Sequence, residues 1–141
     1  KAEIIVADHN WGIGSSRESA VYAMASFGIK SVIAASFGDI HYNNMTKNGL
    51  CPVQLSQEAC HELRSLLLKN IGAKITVDLE ELKVIAPDGT EYEFNMHPLK
   101  RRCLLKGLDD ISLTKQYMDT IKAFEANHHK SKPFMTVQKP T

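Results

Sequence analysis

Ile4-Ile5-Val6 and Ser31-Val32-Ile33-Ala34-Ala35 are short apolar runs bounded by polar residues, with residues 7–30 between them. Such runs read as buried strands. The intervening segment places Ala20, Ala23, Met24 and Phe27 at helical spacing and stops at Gly28. A parallel strand pair needs a crossover of about this length, so the first 35 residues read as a βαβ unit. That unit sets the frame for the rest of the chain.

Residues 38–48 read as a second short helix ended by Gly49, and residues 52–55 as a third strand. Ser56 caps a further helix that carries Ala59, Leu63, Leu66 and Leu67 on one face. After Asn70 the pattern changes to strict alternation in residues 74–79 and 91–96, with residues 82–86 and a Pro87-Asp88-Gly89 turn between. This predicts an antiparallel meander with one wet face. Residues 101–106 read as a helix ending at Gly107. Residues 112–127 read as a last helix with Leu113, Tyr117, Ile121 and Phe124 on its inner face. The expected organisation is a single α/β domain over residues 1–127, lacking its N-terminal part, and a loose polar tail over residues 128–141.

With 141 residues the chain can bury a core without metal or disulfide staples. A formal net charge of +1 and the absence of charge blocks give no support to nucleic-acid or membrane-surface binding. No apolar run approaches the roughly 20 residues that span a bilayer, and the start carries no signal-peptide pattern. The three cysteines, Cys51, Cys60 and Cys103, form no CxxC pair. They read as reduced, mostly buried thiols of a cytoplasmic protein, Cys51 and Cys60 in the core, and not as metal ligands.

The chemistry concentrates where the first strand meets the first helix. Gly12 and Gly14 let the backbone approach a ligand, and Ser15, Ser16 and Arg17 are expected to open the helix, where free amides attract anions. An arginine at that end opposes the helix dipole, so local folding does not account for Arg17. Three chemistries compete. The glycine spacing resembles a dinucleotide loop, but its third glycine is missing, and strand two ends in Ala34-Ala35-Ser36 without the ribose-binding acid. The serine lacks the G-x-S-x-G frame of a nucleophile elbow, and none of His9, His41, His61 or His97 stands in a partner pattern. The third is carboxylate recognition coupled to proton transfer. Arg17 offers a planar fork for a carboxylate. Ser15 would act as an alkoxide, with nearby amides, the arginine and an external metal lowering its pKa.

Gly14-Ser15-Ser16-Arg17-Glu18 resembles the signature of the aconitase-type swivelling domain, and its surroundings resemble the small subunits of 3-isopropylmalate dehydratases. The likeness continues through residues 32–40, Tyr42-Asn43-Asn44, residues 47–52 and residues 107–114. It implies an aconitase-like β/β/α swivelling domain: a mostly parallel central sheet, flanking helices and a small antiparallel meander. It also implies a subunit, inactive alone, of a hydro-lyase that interconverts 2-isopropylmalate and 3-isopropylmalate in leucine biosynthesis. By the same resemblance, Ser15 is the catalytic base, Ser16 and Arg17 bind the 2-hydroxy dicarboxylate substrate, and Gly12 and Gly14 shape the loop. No cofactor is expected in this chain, and a [4Fe–4S] cluster is expected on a large-subunit partner. Ser19 stands where the family usually has His, and Ile13 where a small residue such as Cys is common. Homoaconitate or methylmalate/citraconate dehydratase subunits are sibling readings, and a non-catalytic carboxylate-binding or assembly module is the other class.

Plainer readings exist for several residues. Gly12 and Gly14 suit a tight turn, Ser15 and Ser16 suit helix caps, and Arg17 could pair with Glu18. Lys100-Arg101-Arg102 reads as a solvated helix face or subunit contact. His41 reads as structural or as a hydrogen-bonder at the edge of the site. Tyr42, Asn43 and Asn44 read as support behind the site.

Overall fold

A computed structural model describes residues 2–135. The chain divides into two compact units, residues 1–108 and residues 109–141. The first unit runs β1 (Ile4–Val6), α1 (Ser19–Phe27), β2 (Ser31–Ala34), α2 (Asp39–Lys47), β3 (Cys51–Gln54) and α3 (Gln57–Lys69). It continues with β4 (Thr76–Asp78), β5 (Lys83–Ile85), β6 (Glu91–Glu93) and α4 (Pro98–Lys106).

Strands β1, β2 and β3 form a parallel sheet in that order, with Ile4 opposite Ser31 and Ser31 opposite Cys51. The α/β class and the parallel pairing are as expected. Alternate side chains of β2 serve two cores: Val32 joins Val21, Ile29, Met45 and Leu50 on one face, and Ile33 joins Val53, Cys60, Leu63 and Val84 on the other. β1 is half-buried instead of buried, whereas β3, the other edge strand of this sheet, is buried over Cys51, Pro52 and Val53. On α1 the fully buried residue is Val21, whereas Ala23 and Phe27 are exposed. The helix therefore presents a face about one residue away from the expected one, centred on Val21 and Met24. Packing within the Val32 core, beside Met45 of α2, selects that face.

Ser56 Oγ accepts from the Ala59 amide at 3.2 Å, capping α3 as expected, and Ala59, Cys60 and Leu63 are buried beneath it. β4, β5 and β6 form the antiparallel meander, with Val84 opposite both Val77 and Tyr92. Its alternation is clean: Phe94 and Met96 are buried, and Glu93 and Asn95 are exposed. α4 starts at Pro98, earlier than residue 101. His97 Nδ1 accepts from the Leu99 amide at 3.2 Å, and proline suits the first helical turn.

In the second unit the expected single helix is two, α5 (Asp110–Lys115) and α6 (Met118–Ser131), followed by a 3-10 turn (Pro133–Met135). Asp109 caps α5 through the Ser112 amide, and the chain turns at Gln116 and Tyr117. Leu113 and Ile121 are half-buried, but Tyr117 and Phe124 are exposed. α6 includes His128 and His129, with the Phe124 ring stacked 5.6 Å from that of His128. The remainder of the expected tail, residues 136–141, lies outside the described residues. Among the described residues no helix is long and apolar enough to cross a membrane.

Candidate active site

The loop that leaves β1 is laced to the loop that leaves β2. Ala7 N–H donates to Ile33 O at 2.8 Å, and Ala35 N–H to Asp8 O at 3.2 Å. Beyond the strands, Trp11 N–H donates to Ser36 O at 3.0 Å and Gly38 N–H to Trp11 O at 2.9 Å, which makes an isolated parallel bridge between Trp11 and Phe37. Asn10 turns the chain with φ +59°, and its amide donates to Ser36 Oγ at 2.8 Å. The polar loop thus stands at the carboxyl ends of neighbouring parallel strands, where open α/β sheets place their ligands.

Gly12 and Gly14 differ in kind. Gly12 has φ +79°, and a β-carbon there would collide with Cγ and Cδ2 of His41. Gly38 also comes close to the same residue, since a β-carbon on Gly38 would lie 3.3 Å from Gly12 O. Gly12 is therefore a structural necessity. Gly14 has no such backbone demand, and a β-carbon on it would meet nothing within 4 Å. Its lack of a side chain leaves open space above the loop.

Ser15, Ser16 and Arg17 are brought together but do not open α1, which begins at Ser19. The lead-in turn is made by the carbonyls of Arg17 and Glu18, which accept from Ala20 and Val21 at 3.3 and 2.9 Å. Ser15 Oγ instead accepts from the Arg17 amide at 3.2 Å, closing a tight turn within the loop. Ser15 is half-buried, and Ser16 and Arg17 are exposed. Arg17 does not pair with Glu18. That carboxylate accepts from Asn48 Nδ2 at 2.8 Å and raises the Tyr22 phenol through its negative charge. The Arg17 guanidinium makes no ion pair among the described residues.

Two supports hold this loop, the Asp8–Arg64 pair, which the sequence reading does not contain, and His41, which it does. At its root, Asp8 Oδ1 accepts from the His9 amide and Oδ2 from Arg64 of α3. The Arg64 hydrogen bond is the main cause that holds the Asp8 carboxyl below the ordinary carboxylate range. This pair lines an open cleft of about 440 Å³ with Gln57, Glu58, His61 and Glu62. None of Ser15, Ser16 and Arg17 lines it. Beneath the loop lies His41, only 4% exposed, with neither ring nitrogen hydrogen-bonded; burial lowers its pKa. Of the two readings of His41, the structural one fits this burial, since the ring makes no hydrogen bond among the described residues.

The Lys100-Arg101-Arg102 run is more than a solvated face. Lys100 Nζ sits 4.5 Å from the centre of the Tyr42 ring and donates to Asn43 Oδ1 at 2.6 Å. Arg101 donates to the carbonyls of Leu79 and Glu80. Tyr42 in turn packs edge-on against Phe37, the bridge partner of Trp11. Cys51 and Cys60 are buried thiols as expected, and burial pushes Cys51 up to about 11. Among the described residues no group of three or more His, Cys, Asp or Glu side chains could hold a metal ion.

Comparison with known proteins agrees with this architecture. The family profile described as Aconitase C-terminal domain matches residues 1–58, and one described as LeuD_N matches residues 61–98. The 3-isopropylmalate dehydratase small subunit of Roseobacter denitrificans is 47% identical over 135 residues, covering 96% of this chain and 67% of the relative. The protein of the same name from Afipia carboxidovorans is 45% identical over 134 residues, covering 95% and 67%. A crystal structure of 3-isopropylmalate dehydratase (leuD) from Methanocaldococcus jannaschii superposes with a TM-score of 0.64 at 30% identity, covering 87% of this chain and 71% of that one.

Proposed function

The chain belongs to the 3-isopropylmalate dehydratase small subunits, and from that premise we propose that it supplies one half of a hydro-lyase site. A large subunit completes the site, and the reaction interconverts 2-isopropylmalate and 3-isopropylmalate in leucine biosynthesis. The observation that carries the reading is the pairing of an Arg17 guanidinium that has no ion pair among the described residues with a Ser15 hydroxyl turned back onto the Arg17 amide.

Ser15 is the base in this reading. As an alkoxide it removes the proton from the carbon next to a carboxylate. The electron pair left behind forms the carbon–carbon double bond as the hydroxyl on the neighbouring carbon leaves as hydroxide, which takes up a proton from solvent to become water. In the reverse sense, hydroxide from water adds to the carbon that lost its proton, and Ser15 returns its proton to the carbon that lost the hydroxyl. The Arg17 N–H bond to Oγ favours the charged oxygen over the neutral one. Arg17 clamps a substrate carboxylate through its fork, and exposed Ser16 adds a hydrogen bond. Gly12 holds the loop down, and the open space at Gly14 admits the dicarboxylate.

The described residues offer no ligand set for an iron–sulfur cluster. In this reading the [4Fe–4S] group belongs to the large subunit, and binding and proton handling fall to this chain. The test is to mix the chain with a cluster-loaded large subunit and follow the unsaturated intermediate by ultraviolet absorbance. Turnover of isopropylmalate that requires both subunits supports the reading. Assembly without turnover of any 2-hydroxy dicarboxylate overturns it and leaves a binding module.

A further inference from the structure

We infer that His41 is a positioning residue for the Ser15 loop, its ring forming the seat that fixes Gly12. The third residue of α2, His41 is 4% exposed, and its Cγ and Cδ2 occupy the space where a side chain on residue 12 would project. With Gly38 close on the carbonyl side, Gly12 is held between two residues at the start of α2. Gly38 also approaches the Ile13 α-carbon, and beyond that point the loop loses such support. Ile13 is 67% exposed and Gly14 faces open space, so Ser15 is placed by the Gly12 seat on one side and the α1 lead-in on the other.

The chemistry of the ring strengthens the case. Among the described residues neither buried imidazole nitrogen has a hydrogen-bond partner. A buried polar atom left unpaired is costly, so hydrogen bonding does not explain a histidine here. The planar shape is what the loop uses. The indole nitrogen of Trp11, next in chain to Gly12, is also buried and unpartnered. The side chains of the seam thus act by packing, beside the backbone bonds that Trp11 makes with Ser36 and Gly38. A shift there would move Ser15, and misplacement of a reacting group by about 1 Å can lower turnover about 100-fold.

The effect on turnover rests on the reading of Ser15 as base, but the seat can be read without it. Trp11 is the only tryptophan of the chain and lies within the seam, so its fluorescence reports the loop directly. Under conditions where the full chain remains folded by circular dichroism, His41→Ala should red-shift Trp11 emission and raise its quenching by acrylamide. His41→Phe, which keeps a planar ring, should match the parent. In the assembled enzyme His41→Ala should lower kcat about 10- to 100-fold with a smaller change in KM, and His41→Phe should restore it. Should His41→Ala not fold, His41→Leu takes its place, keeping bulk without the flat ring. Unchanged Trp11 quenching in the ringless variant overturns the seat. So does a His41→Phe variant as inactive as His41→Ala, because the nitrogens would then be what matters. A loosened Trp11 with full turnover upholds the seat and overturns the reading of Ser15 instead.

Discussion

Arg64 Nη2 lies 2.9 Å from Asp8 Oδ2, so a side chain of α3 holds the root of a loop that leaves β1. The two residues are 56 positions apart. The pair is partly exposed and solvent screening limits its stabilising effect, so its importance lies in where Asp8 sits. Arg64→Ala should raise the Asp8 carboxyl toward its unperturbed value of about 3.9, measured by carboxyl-carbon NMR titration. The sign follows from a folded-state pKa below the unfolded one. The stabilising contribution is present above the unfolded pKa and is lost as pH falls through the folded one. An unmoved Asp8 titration in Arg64→Ala would refute the pairing.

Ser15→Ala removes the proposed base and little else, because the lost hydroxyl accepts one hydrogen bond within its own turn. In the reconstituted enzyme kcat should fall by about 100- to 10,000-fold, the range for a general base, while the unfolding midpoint and large-subunit binding stay near parental values. Steady-state kinetics beside thermal denaturation checks both halves.

Arg17→Lys keeps the charge but not the fork. We expect kcat/KM to drop about tenfold or more, with KM raised and kcat lowered, because an ammonium cannot reproduce two parallel hydrogen bonds to a carboxylate. Among the described residues Arg17 has no ion pair to lose, so stability should be unchanged. Parental kinetics would remove Arg17 from the carboxylate site.

The two loop glycines should separate cleanly. Gly12→Ala places a β-carbon into the His41 ring at a backbone conformation with φ +79°, and should lose about 1–3 kcal/mol. Gly14→Ala meets nothing within 4 Å, and should stay within about 0.5 kcal/mol of the parent by urea unfolding. In the assembled enzyme it should still weaken substrate binding, since it fills the space assigned to the ligand.

His41 should make stability depend on pH near neutrality. Burial lowers its folded-state pKa below the unfolded value of about 6.5, so the unfolded chain binds the proton more readily. The full stability is present above about pH 6.5 and declines as pH falls toward the folded pKa. In His41→Phe that part of the slope should vanish, as read from denaturation midpoints between about pH 5 and 8. An identical slope in the variant would assign it elsewhere.

Periodicity carried most of the fold. The apolar runs at β1, β2 and β3, the cap at Ser56 and the alternation around Phe94 and Met96 each express a local rule, and each stands where it was read. Errors arose where a local rule left several answers open. Helical spacing on α1 allowed neighbouring faces, and the packing of Val21 and Met24 with Met45 chose among them. Serine at a loop–helix junction suits a helix cap or a local turn, and Ser15 bonds to the Arg17 amide instead of opening α1. A run of three cations looks solvated by default, yet Lys100 found an aromatic face and Arg101 two backbone carbonyls.

The sequence by itself determined the parallel crossover, the glycine-spaced loop, and the grouping of Ser15, Ser16 and Arg17, since these depend on residues close in the chain. Only the tertiary structure decided why Gly12 must be glycine while Gly14 need not be, which carboxylate anchors the loop, and what lies beneath it. Those answers come from His41, Gly38 and Arg64, residues 26 or more positions from their partners. Contacts over such separations leave no periodic mark in sequence and exist only once β1 and β2 are paired and α2 and α3 are packed beside them.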